Sequence, residues 1–117
     1  RLDHINVIAR DGAAMVDFFE KTIGAREGFR PPFGFPGHWL YIDGIPAIHI
    51  NITDAPAAGP SVLIDHFAFC TFDESELTTR LAVSGYRHEK GNGIPGGVGQ
   101  FFVYGPEGIK IELQFYR

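Results

Sequence analysis

Four side chains in this 117-residue chain combine reactive chemistry with suggestive spacing: His4, His49, His66 and Glu112. Imidazole nitrogen and carboxylate oxygen are donors that divalent first-row ions accept. Two imidazoles and one carboxylate leave coordination positions open for water, substrate or dioxygen. Glu112 lies in Gly108-Ile109-Lys110-Ile111-Glu112-Leu113-Gln114-Phe115-Tyr116, which alternates. Ile109, Ile111, Leu113 and Phe115 share one face, and Lys110, Glu112, Gln114 and Tyr116 the other, the period of a strand with one face on a core. A carboxylate at mid-strand is costly unless it is paired or binds a cation. The expected ligands are therefore His4, His66 and Glu112, holding Fe, Mn, Zn, Ni or Co, among which sequence does not choose. His49 is either a fourth ligand or an acid/base group, since imidazole titrates near neutrality.

These residues need elements to position them. Leu2 to Ala9 alternates and predicts a strand, with His4 and Asn6 on one face. Asp11 reads as an N-cap, Met15, Phe18/Phe19 and Ile23 recur at helical spacing, and Gly24 is the stop, so residues 12–23 form an amphipathic helix. Residues 26–30 predict a short strand, and the Pro/Gly-rich 31–37 a loop. Residues 38–43 and 45–52 are two further strands about Gly44. Residues 54–60 are a linker by composition. The pattern then restarts. A strand over 62–71 carries Asp65-His66 as the first carries Asp3-His4. Asp73 with Glu76 resembles a capping box. Leu77 and Leu81 mark a helix that Gly85 ends. Strands follow at 86–90 and 100–104, on either side of a five-glycine loop at 91–99, and the Glu112 strand closes the chain.

The order β-α-β-β-β thus occurs twice, in units near 55 residues. His4 falls on His66 at an offset of 62, His49 on Glu112 at 63, and Gly24 on Gly85 at 61. Agreement in order at three places indicates a duplication. The expected organisation is α+β, one domain of two modules, about 1–53 and 61–117, with the linker between them. With the halves facing each other, all four mid-strand side chains reach one cleft, and Glu112 and His49 are its candidate catalytic groups.

Composition bounds the partners. The net charge of −4 carries no basic stripe, which argues against nucleic acid. No apolar run approaches the ~20 residues of a membrane span, and no secretory signal is visible. Cys70 is the only cysteine, excludes an internal disulfide, and fits a reducing, cytoplasmic compartment. By residue type it is expected to be a small core residue. His38 and His88 read as solvated or rim residues. Asp3 and Asp65 sit next to histidines, but adjacent strand residues point to opposite faces, so they are not expected to bond the neighbouring ring. Asn6, Phe35, Trp39, Phe101 and Phe102 are the candidate lining of a small-molecule pocket, with Phe29 and Phe33 near it; core packing is the competing reading for each aromatic ring.

Leu2-Asp3-His4-Ile5-Asn6-Val7, Phe18-Phe19-Glu20-Lys21-Thr22-Ile23-Gly24-Ala25, Ile64-Asp65-His66-Phe67-Ala68-Phe69 and Gly105-Pro106-Glu107-Gly108-Ile109-Lys110-Ile111-Glu112 together resemble the vicinal oxygen chelate superfamily. That group includes glyoxalases, extradiol dioxygenases, fosfomycin and bleomycin resistance proteins and methylmalonyl-CoA epimerase. The resemblance implies paired βαβββ modules forming an incomplete mixed β-barrel around a metal-site cleft. It also implies a substrate bound through two neighbouring oxygens, and a homodimer. It places His4, His66 and Glu112 on the metal positions and His49 on the fourth, symmetry-related one. There the glyoxalase pattern resembles a glutamate and the dioxygenase pattern a proton-moving histidine. The expectation is accordingly extradiol-dioxygenase-like, with a glyoxalase-type lyase, isomerase or epimerase second and a metal-free bleomycin-resistance-like binding protein third. Phe102 departs from the dioxygenase and fosfomycin patterns, which resemble each other in a tyrosine there.

Overall fold

A computed structural model of the chain describes residues 2–54, 66–94 and 96–116. The chain divides into two compact units, Arg1–Ala57 and Ala58–Arg117. Most of the expected linker, Asp65, and the start of the strand expected from residue 62 lie outside the described residues.

The first unit runs β1 (Ile5–Ala9), α1 (Gly12–Ile23), β2 (Arg26–Gly28), β3 (Gly37–Ile42) and β4 (Ile45–Ile52). Its sheet has the order β1-β4-β3-β2, with β1 parallel to β4 and the other pairs antiparallel. The helix forms where the sequence predicts it. The Asp11 side chain accepts from the Ala14 amide, and Gly24 closes the helix in the left-handed conformation that glycine adopts without strain. Met15, Phe18 and Phe19 are buried, as are Leu40, Ile48 and Ile50 of the sheet. Alternation then turns Trp39 and His49 to the other face.

The second unit repeats this plan with β5 (Phe67–Phe72), α2 (Glu74–Ser84), β6 (Arg87–Lys90), β7 (Val98–Tyr104), a 3-10 turn at Pro106–Gly108 and β8 (Lys110–Tyr116). Its order is β5-β8-β7-β6, again with one parallel pair. Asp73 caps α2 by accepting from the Glu76 amide at 2.9 Å. Leu77 and Leu81 are the buried stripe of α2, and Phe101, Val103, Ile111, Leu113 and Phe115 are buried from the sheet. The two registers match from the strand starts to the site positions: Trp39 opposes His49 as Phe102 opposes Glu112, and Gly37 opposes Asn51 as Gln100 opposes Gln114. The α+β class and the two βαβββ modules are thus as read. The strands form two separate four-stranded sheets, neither closed on itself.

Several details differ from expectation. His4 and His66 lie immediately before β1 and β5, because pairing with β4 and β8 begins at Ile5 and Phe67. The strand expected at 26–30 ends at Gly28, its last residue paired with β3. The loop expected over 91–99 is shorter, since β7 starts at Val98 and pairs as far as Tyr116. Cys70 is exposed and not a core residue: alternation along β5 turns Phe67 and Phe69 toward the interior and Cys70 away. Among the described residues, no helix is long and apolar enough to cross a membrane.

Gly99 shows how tightly β8 is seated. A Cβ there would lie 2.2 Å from the Phe115 ring, which is fully buried. Gly99→Ala is expected to lower stability by about 1–3 kcal/mol through overpacking, measured by urea unfolding.

Candidate functional site

Each unit presents a group of site residues on the sheet face opposite its core. In the second unit Glu112 stands mid-strand on β8 and is only 7% exposed. Gln100 Nε2 donates to its Oε1 and Gln114 Nε2 to its Oε2, both at 2.6 Å. A carboxylate only accepts, so both amides must turn their nitrogens toward it. His66 Nε2 lies 3.8 Å from Glu112 Oε1. That is beyond a hydrogen bond, and within the reach of two ligands bonded to one ion at ~2.1 Å each. Phe102 meets the His66 ring edge to face at 5.8 Å.

In the first unit His4 and His49 stack, centroids 3.9 Å apart and planes 13° from parallel. Trp39 stacks on the other side of His49 at 4.1 Å, Phe33 follows at 5.9 Å from Trp39, and Phe35 at 5.6 Å from Phe33. A row of π systems therefore crosses this face. Asn6 is exposed and pairs in register with His49.

The histidine nitrogens are assigned by their partners. His4 Nδ1 donates to Asp3 Oδ2 at 2.7 Å, which leaves its Nε2 lone pair for a ligand. This overturns the expectation that Asp3 turns away from the ring. Strand alternation does not govern residues 3 and 4, which precede β1. His49 Nε2 donates to the Pro46 carbonyl at 3.0 Å, so the lone pair of the neutral ring is on Nδ1. An imidazole donates within its own plane. Two rings stacked face to face cannot aim lone pairs at one ion, so His49 does not join His4 as a ligand in this arrangement. Its pKa lies below the usual 6.5: burial and the charge of His4 lower it most, the Pro46 hydrogen bond and Asp3 raise it, and Arg30 lowers it further.

Not every expected residue is on these faces. Phe101 is a core residue: it is buried against Phe115 at 5.7 Å, since it alternates with Phe102 on β7. His38 faces α1 and bonds Glu27, and His88 is exposed with its Nδ1 on the Tyr86 carbonyl. Gln100 and Gln114 were missed. The signal was available, because Gln114 sits two residues from Glu112 on the same face. Among the described residues neither unit by itself gathers three His, Cys, Asp or Glu side chains suited to an ion. The donors fit a divalent cation by their chemistry, one imidazole beside a buried carboxylate and one imidazole anchored by a carboxylate. A shallow cleft of about 840 Å³ lies elsewhere, at the start of α2, lined by Asp73, Ser75, Thr78 and Tyr116 among others, and contains none of these groups.

The model of the Glyoxalase/Bleomycin resistance protein/Dioxygenase superfamily matches residues 1–113. The chain belongs to that superfamily. A crystal structure of a glyoxalase family protein from Bacillus anthracis is similar at TM-score 0.77 and 25% identity, covering 100% of this chain and 95% of that one. The fosfomycin resistance protein FosX from Listeria monocytogenes is similar at TM-score 0.76 and 21% identity, covering 100% and 91%. The same protein complexed with Mn(II) and sulfate is similar at 0.74 and 20%, covering 100% and 90%. Likeness to FosX at these identities establishes the fold alone. No curated protein matches the chain. The superfamily includes metal-dependent enzymes.

The lowered pKa of His49 has a consequence for stability. The folded state favours the neutral ring, so below about pH 6.5 the unfolded state takes up a proton that the folded state resists. Stability contributed by neutral His49 is complete above that pH and is lost as pH falls toward the folded-state value. Urea unfolding of metal-free protein between about pH 7.5 and 5 should show a shallower pH dependence for His49→Phe than for the parent chain.

Proposed function

We propose that this member of the superfamily is a divalent-metal-dependent enzyme acting on a small molecule through two neighbouring oxygens. The observation that carries the reading is the buried Glu112 carboxylate, clamped by Gln100 and Gln114 with His66 at 3.8 Å. His4, His66 and Glu112 would hold the ion. The bound ion would supply Lewis-acid stabilisation of a catecholate, enolate or enediolate.

The protein's own groups divide the remaining work. Asp3 orients His4, and the two glutamine amides fix the carboxylate and raise the selectivity of its geometry. His49 is a proton acceptor and not a ligand. Its Nδ1 lone pair is set by the Pro46 carbonyl, and its low pKa keeps it neutral near pH 7. Trp39 and Phe33, their planes 44° apart, supply an apolar wall beside which a ring can sit.

The best single reading is ring cleavage of a catechol by dioxygen, with His49 moving the proton. A glyoxalase-type isomerase or lyase is second, favoured by Phe102, which brings no hydroxyl to the His66 side of the site. Oxygen uptake with a catechol panel on Fe(II)- or Mn(II)-loaded protein supports the first. Turnover of a methylglyoxal-thiol adduct without oxygen uptake supports the second. A metal-free binding protein becomes the better account if no ion is bound and His66→Ala melts as the parent does with added metal. The lone cysteine fits a cytoplasmic location.

The glutamine clamp gives a separate expectation. Gln100→Ala and Gln114→Ala should each weaken Mn(II) binding by about 10–100-fold, read by calorimetric titration, with the fold retained by circular dichroism.

A further inference from the structure

Arg30 follows β2 on the first unit and carries a polar anomaly. Among the described residues its Nε and Nη2 are buried without a hydrogen-bond partner, while Nη1 donates to the Phe35 carbonyl at 3.0 Å. The guanidinium is 5.0 Å from both the Phe33 and the Phe35 ring centroids. Burying a cation's donors without an acceptor is unfavourable, and such a group is a ready receptor for an anion. Glu27 of β2 bonds His38, and Asp3 bonds His4.

The guanidinium lies on the site face. Phe33, 5.0 Å from it, contacts Trp39 of that face at 5.9 Å, and a Cβ on Gly37 would meet the Ile50 carbonyl oxygen at 2.4 Å and Arg30 Nη2 at 2.7 Å. Gly37 thus leaves the space that the guanidinium fills. The equivalent position in the second unit is Gln100, whose amide clamps Glu112. Arg30 therefore stands along the row Phe35, Phe33, Trp39, His49, at the end away from His4. Phe33 and Phe35 cover it but are themselves 47% and 48% exposed, so they can shift with little loss of packing.

We propose that Arg30 reads a carboxylate on the substrate, an aryl carboxylate whose ring lies along the Phe33–Trp39 wall. A guanidinium matches a carboxylate through two parallel N–H donors, and Nε with Nη2 is one edge of that fork. The proposal rests on the metal-enzyme reading for the word substrate, and it names the specificity-determining end of that site.

Trp39 is the only tryptophan, so its emission reports on this wall. Benzoate, with benzyl alcohol as the neutral isostere, is titrated into metal-free parent protein, Arg30→Met and Arg30→Lys. Benzoate should give a saturable change in the parent that benzyl alcohol does not. Arg30→Met should weaken it by about 10–100-fold, the effect of losing a charged, paired hydrogen bond. Arg30→Lys keeps the charge but not the fork, and should be weakened by several-fold; it serves if the methionine variant does not fold. Thermal melting of Arg30→Met should be unchanged or raised, since two buried donors without acceptors are removed. Equal benzoate binding by the parent and either folded variant, or equal binding of benzoate and benzyl alcohol by the parent, overturns the proposal. Mn(II) titration of the same proteins separates the two readings. Failure of the parent to bind Mn(II) sinks the metal enzyme and leaves the benzoate result standing.

Discussion

A buried carboxylate at the centre of a strand constrains everything around it. Glu112 is 7% exposed on β8, and an ionised group in that position requires donors on each oxygen. Two amides meet the requirement as dipoles, one from β7 and one from β8 itself. They add no charge, so the negative charge is still to be balanced, and the group beside it is His66. The arrangement depends on register. A one-residue slip of β8 would turn Glu112 into the core and bring Leu113 out, so the burial of Ile111, Leu113 and Phe115 is also what aims the carboxylate. Gly99 belongs to the same constraint, because the Phe115 ring occupies the volume where its side chain would be.

The two units carry this scaffold to different ends. Their registers agree around the site positions, yet the residues at matching positions differ in kind. Where the second unit has Gln100, Phe102 and Glu112, the first has Gly37, Trp39 and His49. The second face is a polar clamp around one charge. The first is a row of stacked rings with a cation at its end. The duplicated plan supplies the geometry, and the differences at these three outward-facing positions make one face polar and the other aromatic.

Much of this was legible before any coordinates. Alternation identified the strands of both units, Asp11 and Asp73 with Gly24 and Gly85 marked both helices, and the offset of 63 between His49 and Glu112 anticipated a register identity. These signals are local or periodic. What escaped depends on contacts that no period encodes. Phe101 and Phe102 are adjacent and chemically alike, and only the phase of β7 decides which is core. Cys70 was placed inside by its residue type and is outside by its phase. Alternation turns Asp3 away from the His4 ring only if the strand extends past Ile5, and pairing begins there. Arg30 drew no attention because a lone arginine before a Pro/Gly loop is ordinary until its nitrogens are found buried.

The same reasoning distinguishes two histidines that residue type and repeat position treat alike. His4 has its Nδ1 proton on a carboxylate, which presents Nε2. His49 has its Nε2 proton on a backbone carbonyl, which presents Nδ1. The rings stack, so each affects the charge of the other: a proton on His4 disfavours one on His49, and that repulsion is second only to burial in lowering the pKa of His49. A cation bound at His4 would act in the same direction as that proton. Positive charge at one ring would therefore favour the neutral form of the other without any movement of the backbone.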